Sequence, residues 1–195
     1  MSNPSERRWR AVKIVLQYLW GTVDLGIQYS AVDNDDLELV CYSDSDWAGS
    51  STRYSRSGYV ILILCGAVAW YSRLQTIAAA SSTEAELIAA SAADHELRWI
   101  CSMLQYLTLG RPVPTPLMID NNDALSIINS GTLNRCSRHT DIKTLLVRNS
   151  CARGNIVPTR VDLAVNTADA LTKRLPAARY QETVAKMGLV SVRRP

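Results

Sequence analysis

Four carboxylates in this chain of 195 residues stand where an α/β fold gathers reacting groups: Asp44, Glu86, Asp120 and Asp169. Most of the 18 acidic residues must be solvated surface charges, so position rather than residue type singles these out. Asp44 lies toward the end of a run that alternates as a strand, and Asp120 ends a short apolar run just ahead of a helix. Open α/β sheets bind ligands at the carboxyl ends of strands, where neighbours diverge. Glu86 and Asp169 fall within one or two turns of expected helix starts and can project toward the same edge. Carboxylates converging there repel one another, a divalent cation relieves the repulsion, and four of them can cradle two hard ions. Two ions about 3.5–4 Å apart clamp a phosphodiester for in-line displacement, one activating water and the other stabilising the leaving oxygen. The competing interpretation of the spacing is a set of unrelated surface acids and helix caps. Two ambiguities stay open on spacing alone. Period-two alternation puts Asp44 and Asp46 on one strand face. Glu84 and Glu86 lie about 200° apart on a helix, so only one can face a site, and Glu84 has the capping-box spacing from Ser81.

The elements that must position these acids follow from periodicity and turn chemistry. Residues 5–20 place Val12, Val15, Leu16 and Leu19 on one helical stripe, with Ser5 or Asn3 as a cap and Gly21 as the stop. Residues 21–37 are turn-rich, with an acidic loop at 33–36. Leu37 to Asp46 alternates as a strand, a Ser/Arg-rich turn occupies 50–57, and residues 58–64 and 67–72 form two further strands broken at Cys65-Gly66. Ser81-Ser82-Thr83-Glu84 opens a long Ala- and Leu-rich helix running to about Tyr106. After the loop GRPVPTP come a short buried strand at 117–120, a helix at 121–129 ending at Gly131, and a helix at 138–152. A strand at 155–161 and a helix at 167–187, interrupted near Pro176, complete the chain. A meander followed by strands alternating with helices predicts an α/β layer built on a mixed sheet.

Composition excludes several classes. Hydrophobic residues make up 47% and charged residues 20%, a globular balance, and the net charge of +3 neither requires nor excludes a nucleic-acid partner. The five cysteines, at 41, 65, 101, 136 and 151, are odd in number and lack C-x-x-C spacing, so buried free thiols are expected. The most apolar run, 59–71, is too short and interrupted to span a bilayer, and the first ten residues are polar and charged. An intracellular protein without a membrane partner is expected by elimination.

Read as ordered blocks, the chain resembles the ribonuclease H domain of copia-type retroelement Pol polyproteins. YSDSDWAG at 42–49 resembles the first catalytic strand of that family, and SGYVILILCGAVAWYSRLQ at 57–75 the following hairpin. SSTEAELIAAS at 81–91 is similar to its helix motif S-S-T-E-A-E-Y-I-A, the most specific match. IDNNDAL at 119–125, SRHTDIK at 137–143 and TADALTKRLP at 167–176 follow in the family's order. WRAVKIVLQYLWGTVDLGI at 9–27 resembles the segment after the polymerase. The resemblance implies a division into residues 1–36 as that helix and linker, 37–190 as the ribonuclease H-like domain, and 191–195 as a tail. The fold it implies is a mixed five-stranded sheet, three antiparallel strands then two parallel, with helices on both faces.

It also implies an activity: cleavage of the RNA strand of an RNA–DNA hybrid by two Mg²⁺ or Mn²⁺ ions held by Asp44, Glu86, Asp120 and Asp169. Asp44 matches the family's first acid in preference to Asp46, and Glu86 heads the pattern that matches its catalytic helix. By the same resemblance Asp44 bridges both ions, Asp169 completes the one that activates water, and Glu86 and Asp120 hold the other. A hybrid is near A-form and shows 2′-hydroxyls in a wide minor groove. Ser43, Ser45 and Asn121 are candidates for sugar contacts, and Arg53, Arg56 and Arg73 for phosphates, against the alternative of ordinary solvated arginines. Trp9, Trp47 and Trp99 are expected in core or helix contacts, and Trp70 and Tyr71 in core or groove. Partners implied are the hybrid and the reverse transcriptase part of the same polyprotein, in the cytoplasm (a particle, in the family) or the nucleus. The sequence departs from the family at Asn122, where Gln is usual, and at Thr144-Leu145-Leu146, where Tyr-His-Phe is common. No His occurs in 155–168 to assist turnover, and His139 is expected to be a structural hydrogen-bonder. The alternative to an active nuclease is a domesticated fragment that binds nucleic acid or protein without cutting.

Overall fold

A computed structural model describes residues 5–30, 38–107, 114–130 and 138–192. The acidic loop at 33–36, most of the loop GRPVPTP, the helix stop at Gly131, Cys136, the His139 side chain and residues 193–195 lie outside the described residues.

The order of elements is α1 (Glu6–Gly21), β1 (Leu25–Ile27), β2 (Leu39–Asp46), β3 (Arg56–Ile63), β4 (Gly66–Leu74), α2 (Ser82–Tyr106) and β5 (Thr115–Ile119). There follow α3 (Asn122–Ser130), α4 (Arg138–Ala152), β6 (Ile156–Arg160), α5 (Asp169–Thr172), α6 (Ala177–Lys186) and β7 (Leu189–Ser191). Five strands form one sheet in the order β4-β3-β2-β5-β6. The β2–β3 and β3–β4 pairs are antiparallel, and β5 runs parallel to both β2 and β6. The expected meander joined to parallel strands is therefore present, and the crossover through α2 brings β5 beside β2.

Alternation on β2 decides which residues meet which helix layer. Leu39 and Cys41 face a large core shared with Tyr59, Ile61, Leu87, Leu97, Leu117 and Ile119, under α2, α3 and α4. Val40 and Tyr42 face a smaller cluster of Val60, Leu62, Ala67 and Met187, closed by Ala170 and Leu171 of α5. Helices thus cover both faces. The long helix α2 begins as its sequence predicts: Ser81 Oγ accepts the Glu84 amide at 3.1 Å, while Glu84 Oε2 accepts the Ala80 amide at 2.8 Å. That is the reciprocal pattern of a capping box, shifted by one residue at its second bond.

Several expectations change. Trp9, Trp47 and Trp99 are exposed rather than in the core. No residue of α1 is buried: the Trp9 ring is met by the Lys13 ammonium, 5.6 Å from its centroid, and the Val12, Val15, Leu16 and Leu19 stripe is exposed with it. Trp99 lies off the α2 stripe that buries Leu97, Ile100 and Cys101. Trp47 sits in the turn after β2, where its indole N–H donates to Ala79 O at 3.1 Å. Trp70 is exposed, while Tyr71 is half-buried and stacks on Tyr59 with ring centroids 5.1 Å apart. Cys65 is exposed at the β3–β4 turn, and Cys41 and Cys101 are buried free thiols as expected.

The turn-rich stretch after α1 contains a strand that alternation over three residues does not reveal. β1 pairs antiparallel with β7 as a separate two-stranded ribbon, with Leu25 opposite Ser191 and Ile27 opposite Leu189. The ribbon is seated through Gly188, at φ +83°, where a Cβ would come within 2.9 Å of the backbone at Gln28, Cys65 and Gly66.

Gly58 is the second close approach. It pairs with Asp44 across β2–β3, and a Cβ there would lie 2.7 Å from Thr172 Cγ2 and 3.0 Å from Leu171 Cβ. Gly58→Ala must lift α5 from the sheet and should cost about 1–3 kcal/mol in urea unfolding, as overpacked sites do. An unchanged unfolding midpoint would mean that α5 is not seated there.

Candidate active site

The parallel β2–β5 pair carries Asp44 and Asp120 out at its carboxyl ends. Glu86, in the second turn of α2, reaches the same edge from the layer above. One carboxylate oxygen from each of Asp44, Glu86 and Asp120 lies within 4.8 Å of the other two. Asp44 and Glu86 are buried and Asp120 is partly open to solvent. Asp46, left equivalent to Asp44 by alternation, stands apart from this group, its carboxylate against the turn at Gly49. Glu84, left as the alternative to Glu86, is engaged in the cap.

Each acid has its own holder. The Ser45 amide and Oγ–H both donate to Glu86 Oε1, at 3.0 and 2.8 Å. Asn166 Nδ2 donates to Asp120 Oδ2 at 3.3 Å and to Ser43 O at 3.0 Å. Thr172 Oγ1 donates to Asp44 Oδ2. Lys173 Nζ lies 3.3 Å from Asp44 Oδ1 and 3.0 Å from Asp169 Oδ1. Asp169 is also paired through Oδ2 with Arg179 Nη2 at 2.5 Å. Asp169 therefore sits beside Asp44 with an ammonium between the two, and it is outside the three-carboxylate group.

The electrostatics of the trio suit a bound divalent cation. Burial pushes the Glu86 carboxyl up to about 8, helped by the Asp44 and Asp120 charges and opposed by the Ser45 hydrogen bonds. Burial raises Asp44 to about 6, against the pull of Lys173 and Thr172. Burial works against the charge of Lys173, but Asp44 and Asp169 outweigh it and raise its pKa. Glu86 Oε2 is buried with no hydrogen-bond partner. A carboxylate oxygen desolvated, unpaired and beside two other carboxylates fits a hard divalent ion, whose oxygen ligands these residues would be.

The residues expected to contact substrate divide. Ser43 is fully buried, its Oγ without a partner. Ser45 is engaged with Glu86, and Asn121 Oδ1 accepts the Ala124 amide at 2.9 Å as the cap of α3. Arg53 and Arg73 are exposed, and Arg56 donates to Ser72 Oγ at 3.4 Å. Arg73 shares a hollow of about 360 Å³ with Gln75, Thr76 and Lys143. Lys143, Asn166, Thr172, Lys173 and Arg179 were not picked out by sequence. Only Lys173 left a readable trace, its i,i+4 spacing from Asp169, which suits an ion pair on a helix.

The fold and site together define a class. The chain is similar to ribonuclease H1 of the halophilic archaeon Halobacterium salinarum, with a TM-score of 0.51 and 19% identity over 69% of this chain and 93% of that one. It is similar to the same extent, TM-score 0.51, to LC11-RNase H1 in complex with an RNA/DNA hybrid, with 14% identity over 69% of this chain and 93% of that one. The fold is that of ribonuclease H. In sequence the chain is 33% identical over 193 residues to the retrovirus-related Pol polyprotein of transposon RE2 of Arabidopsis thaliana, and 30% identical over 192 residues to that of transposon TNT 1-94 of Nicotiana tabacum. No family model matches. In sequence, then, the chain is similar to part of copia-type Pol polyproteins, and in fold to ribonuclease H. The alignments take in 98% of this chain but only 13% and 14% of those relatives, so it spans a small part of their length.

The raised carboxyls make the stability of the fold depend on pH. In the unfolded chain Glu86 and Asp44 ionise in the ordinary carboxylate range, so between there and about 8 and 6 the folded protein holds protons that the unfolded chain has released. Metal-free stability should therefore fall as pH rises from about 4.5 to about 8, the window those shifts define. Mg²⁺ or Mn²⁺ should raise the Tm more at pH 8 than at pH 5. A metal increment independent of pH in thermal unfolding would contradict this origin.

Proposed function

We propose that this domain hydrolyses the RNA strand of RNA–DNA hybrids, with divalent ions held at Asp44, Glu86 and Asp120 and with Asp169 flanking Asp44. The observation that carries this is the three-carboxylate group at the ends of neighbouring parallel strands, on a ribonuclease H fold. When bound, divalent ions there would supply an activated water and neutralise charge at phosphorus and at the leaving oxygen. The chain's own residues do the rest. Ser45 fixes Glu86 by two donors to one oxygen, which leaves the other oxygen free to act as a ligand. Asn166 ties Asp120 to the β2 backbone, and Thr172 and Lys173 orient Asp44. Two ions, Mg²⁺ or Mn²⁺, complete the proposed site.

The hybrid is supported as substrate by the complex in which LC11-RNase H1 was solved. Arg73 and Lys143, flanking one hollow near the α2 end of the site, are suited to phosphates of the paired strand, and Arg53 and Arg56 at the β2–β3 turn to a second run. Because Ser45 and Asn121 are engaged in the fold and Ser43 is buried, 2′-hydroxyl recognition falls to backbone groups at the rim, and little base specificity is expected. The polymerase part of a Pol polyprotein is the partner that the relatives suggest, in an intracellular setting. Among the described residues, no helix is long and apolar enough to cross a membrane.

A labelled hybrid should be cut in Mg²⁺ or Mn²⁺, and Asp120→Asn should remove cutting while hybrid binding changes less than about threefold, since the lost group holds an ion rather than the duplex. Cutting that survives Asp120→Asn removes that residue from the site. A folded wild-type protein that binds but never cuts would establish the binding-module alternative.

A further inference from the structure

We propose that Lys173 is the resident cation of the second ion position, and that a second divalent ion enters between Asp44 and Asp169 only by displacing its ammonium. This rests on the metal-dependent function proposed above and gives Lys173 a role beyond orienting Asp44.

The geometry is specific. The Lys173 ammonium bridges Asp44 Oδ1 and Asp169 Oδ1 at 3.3 and 3.0 Å, the place a shared cation would take. Glu86 and Asp120 approach Asp44 from elsewhere and form their three-carboxylate group with Lys173 in place. The three-carboxylate group is thus reached without Lys173, whose ammonium stands between Asp44 and Asp169 instead. Lys173 follows directly on the last residue of α5, and its side chain is 34% exposed, so its flexible four-carbon stem has solvent to swing into. Arg179 is held differently. Its Nη2 donates both to Asp169 Oδ2 and to Leu163 O, which anchors it in place.

Charge balance gives the displacement its condition. The four carboxylates are neutralised by Lys173, Arg179 and a single divalent ion. A second divalent ion added to that set would leave two positive charges in a buried site. With Lys173 withdrawn the excess is one, the charge of the phosphodiester that the substrate brings. The second ion and the phosphate therefore arrive together, and Lys173 holds Asp44 and Asp169 in position until they do.

Calorimetric titration of the full chain with Mn²⁺ tests this without reference to activity. Wild type should take up one ion, and Lys173→Met should bind a second ion about tenfold or more tightly than wild type does, while Lys173→Arg, which keeps the charge, stays near wild type. Metal-free Lys173→Met should also unfold at a lower temperature and recover with Mn²⁺. Equal second-ion affinity in wild type and Lys173→Met overturns the proposal. Glu86→Gln separates the two levels: loss of the first ion there upholds the metal site whatever Lys173 does, and retention of it refutes the site itself. If Lys173→Met does not fold, electron paramagnetic resonance of wild type decides. A coupled Mn²⁺ pair should be absent in the free protein and appear with a non-cleavable hybrid; a coupled pair in the free protein overturns the proposal.

Discussion

Like charges held together out of water are the constraint that organises this domain. Asp44, Glu86 and Asp169 are each at least nine-tenths buried at one sheet edge, with Asp120 beside them. Desolvation and mutual repulsion both oppose such a cluster. Ser45, Asn166, Thr172, Lys173 and Arg179 are explained by it, since each donates to one of these carboxylates. What they leave unsatisfied, chiefly Glu86 Oε2, is where a cation has most to gain. A site of this kind is destabilising by itself and is sustained by the core beneath it.

That core supplies placement as well as stability. Because β2 and β5 are parallel, their carboxyl ends emerge together, and one crossover through α2 delivers a third acid to the same edge. The fourth depends on α5, only four residues long, whose seat is the bare backbone of Gly58. The short helix is therefore positioned by contact with the sheet rather than by its own propensity, and Asp44, Thr172 and Lys173 form one mechanical unit.

Much of this was legible in the residues, and the gaps have physical reasons. Period-two runs and the Ser81 cap marked the meander and α2, because these signals are local. Spacing could not separate Asp44 from Asp46, which share a strand face; the difference is how far each stands from α5 and the turn. Glu84 and Glu86 were separable because a helix turns 100° per residue and one acid had a cap to make. Lys173 was nearly invisible. A lysine in a basic run reads as solvated until the fold shows what lies opposite it. The tryptophans misled for the reverse reason: their apolar area suggests burial, yet α1 and the outer face of α2 offer no described surface to bury it against.

The ribbon of β1 and β7 governs how this domain responds when its ends are pulled. Leu25 enters the ribbon opposite Ser191, so the incoming and outgoing chains leave from the same end. Tension between them opens three residue pairs one after another, like a zip, while the five-stranded sheet is not loaded until the ribbon has parted. Stretching would part the ribbon before load reaches the sheet edge that carries the carboxylates.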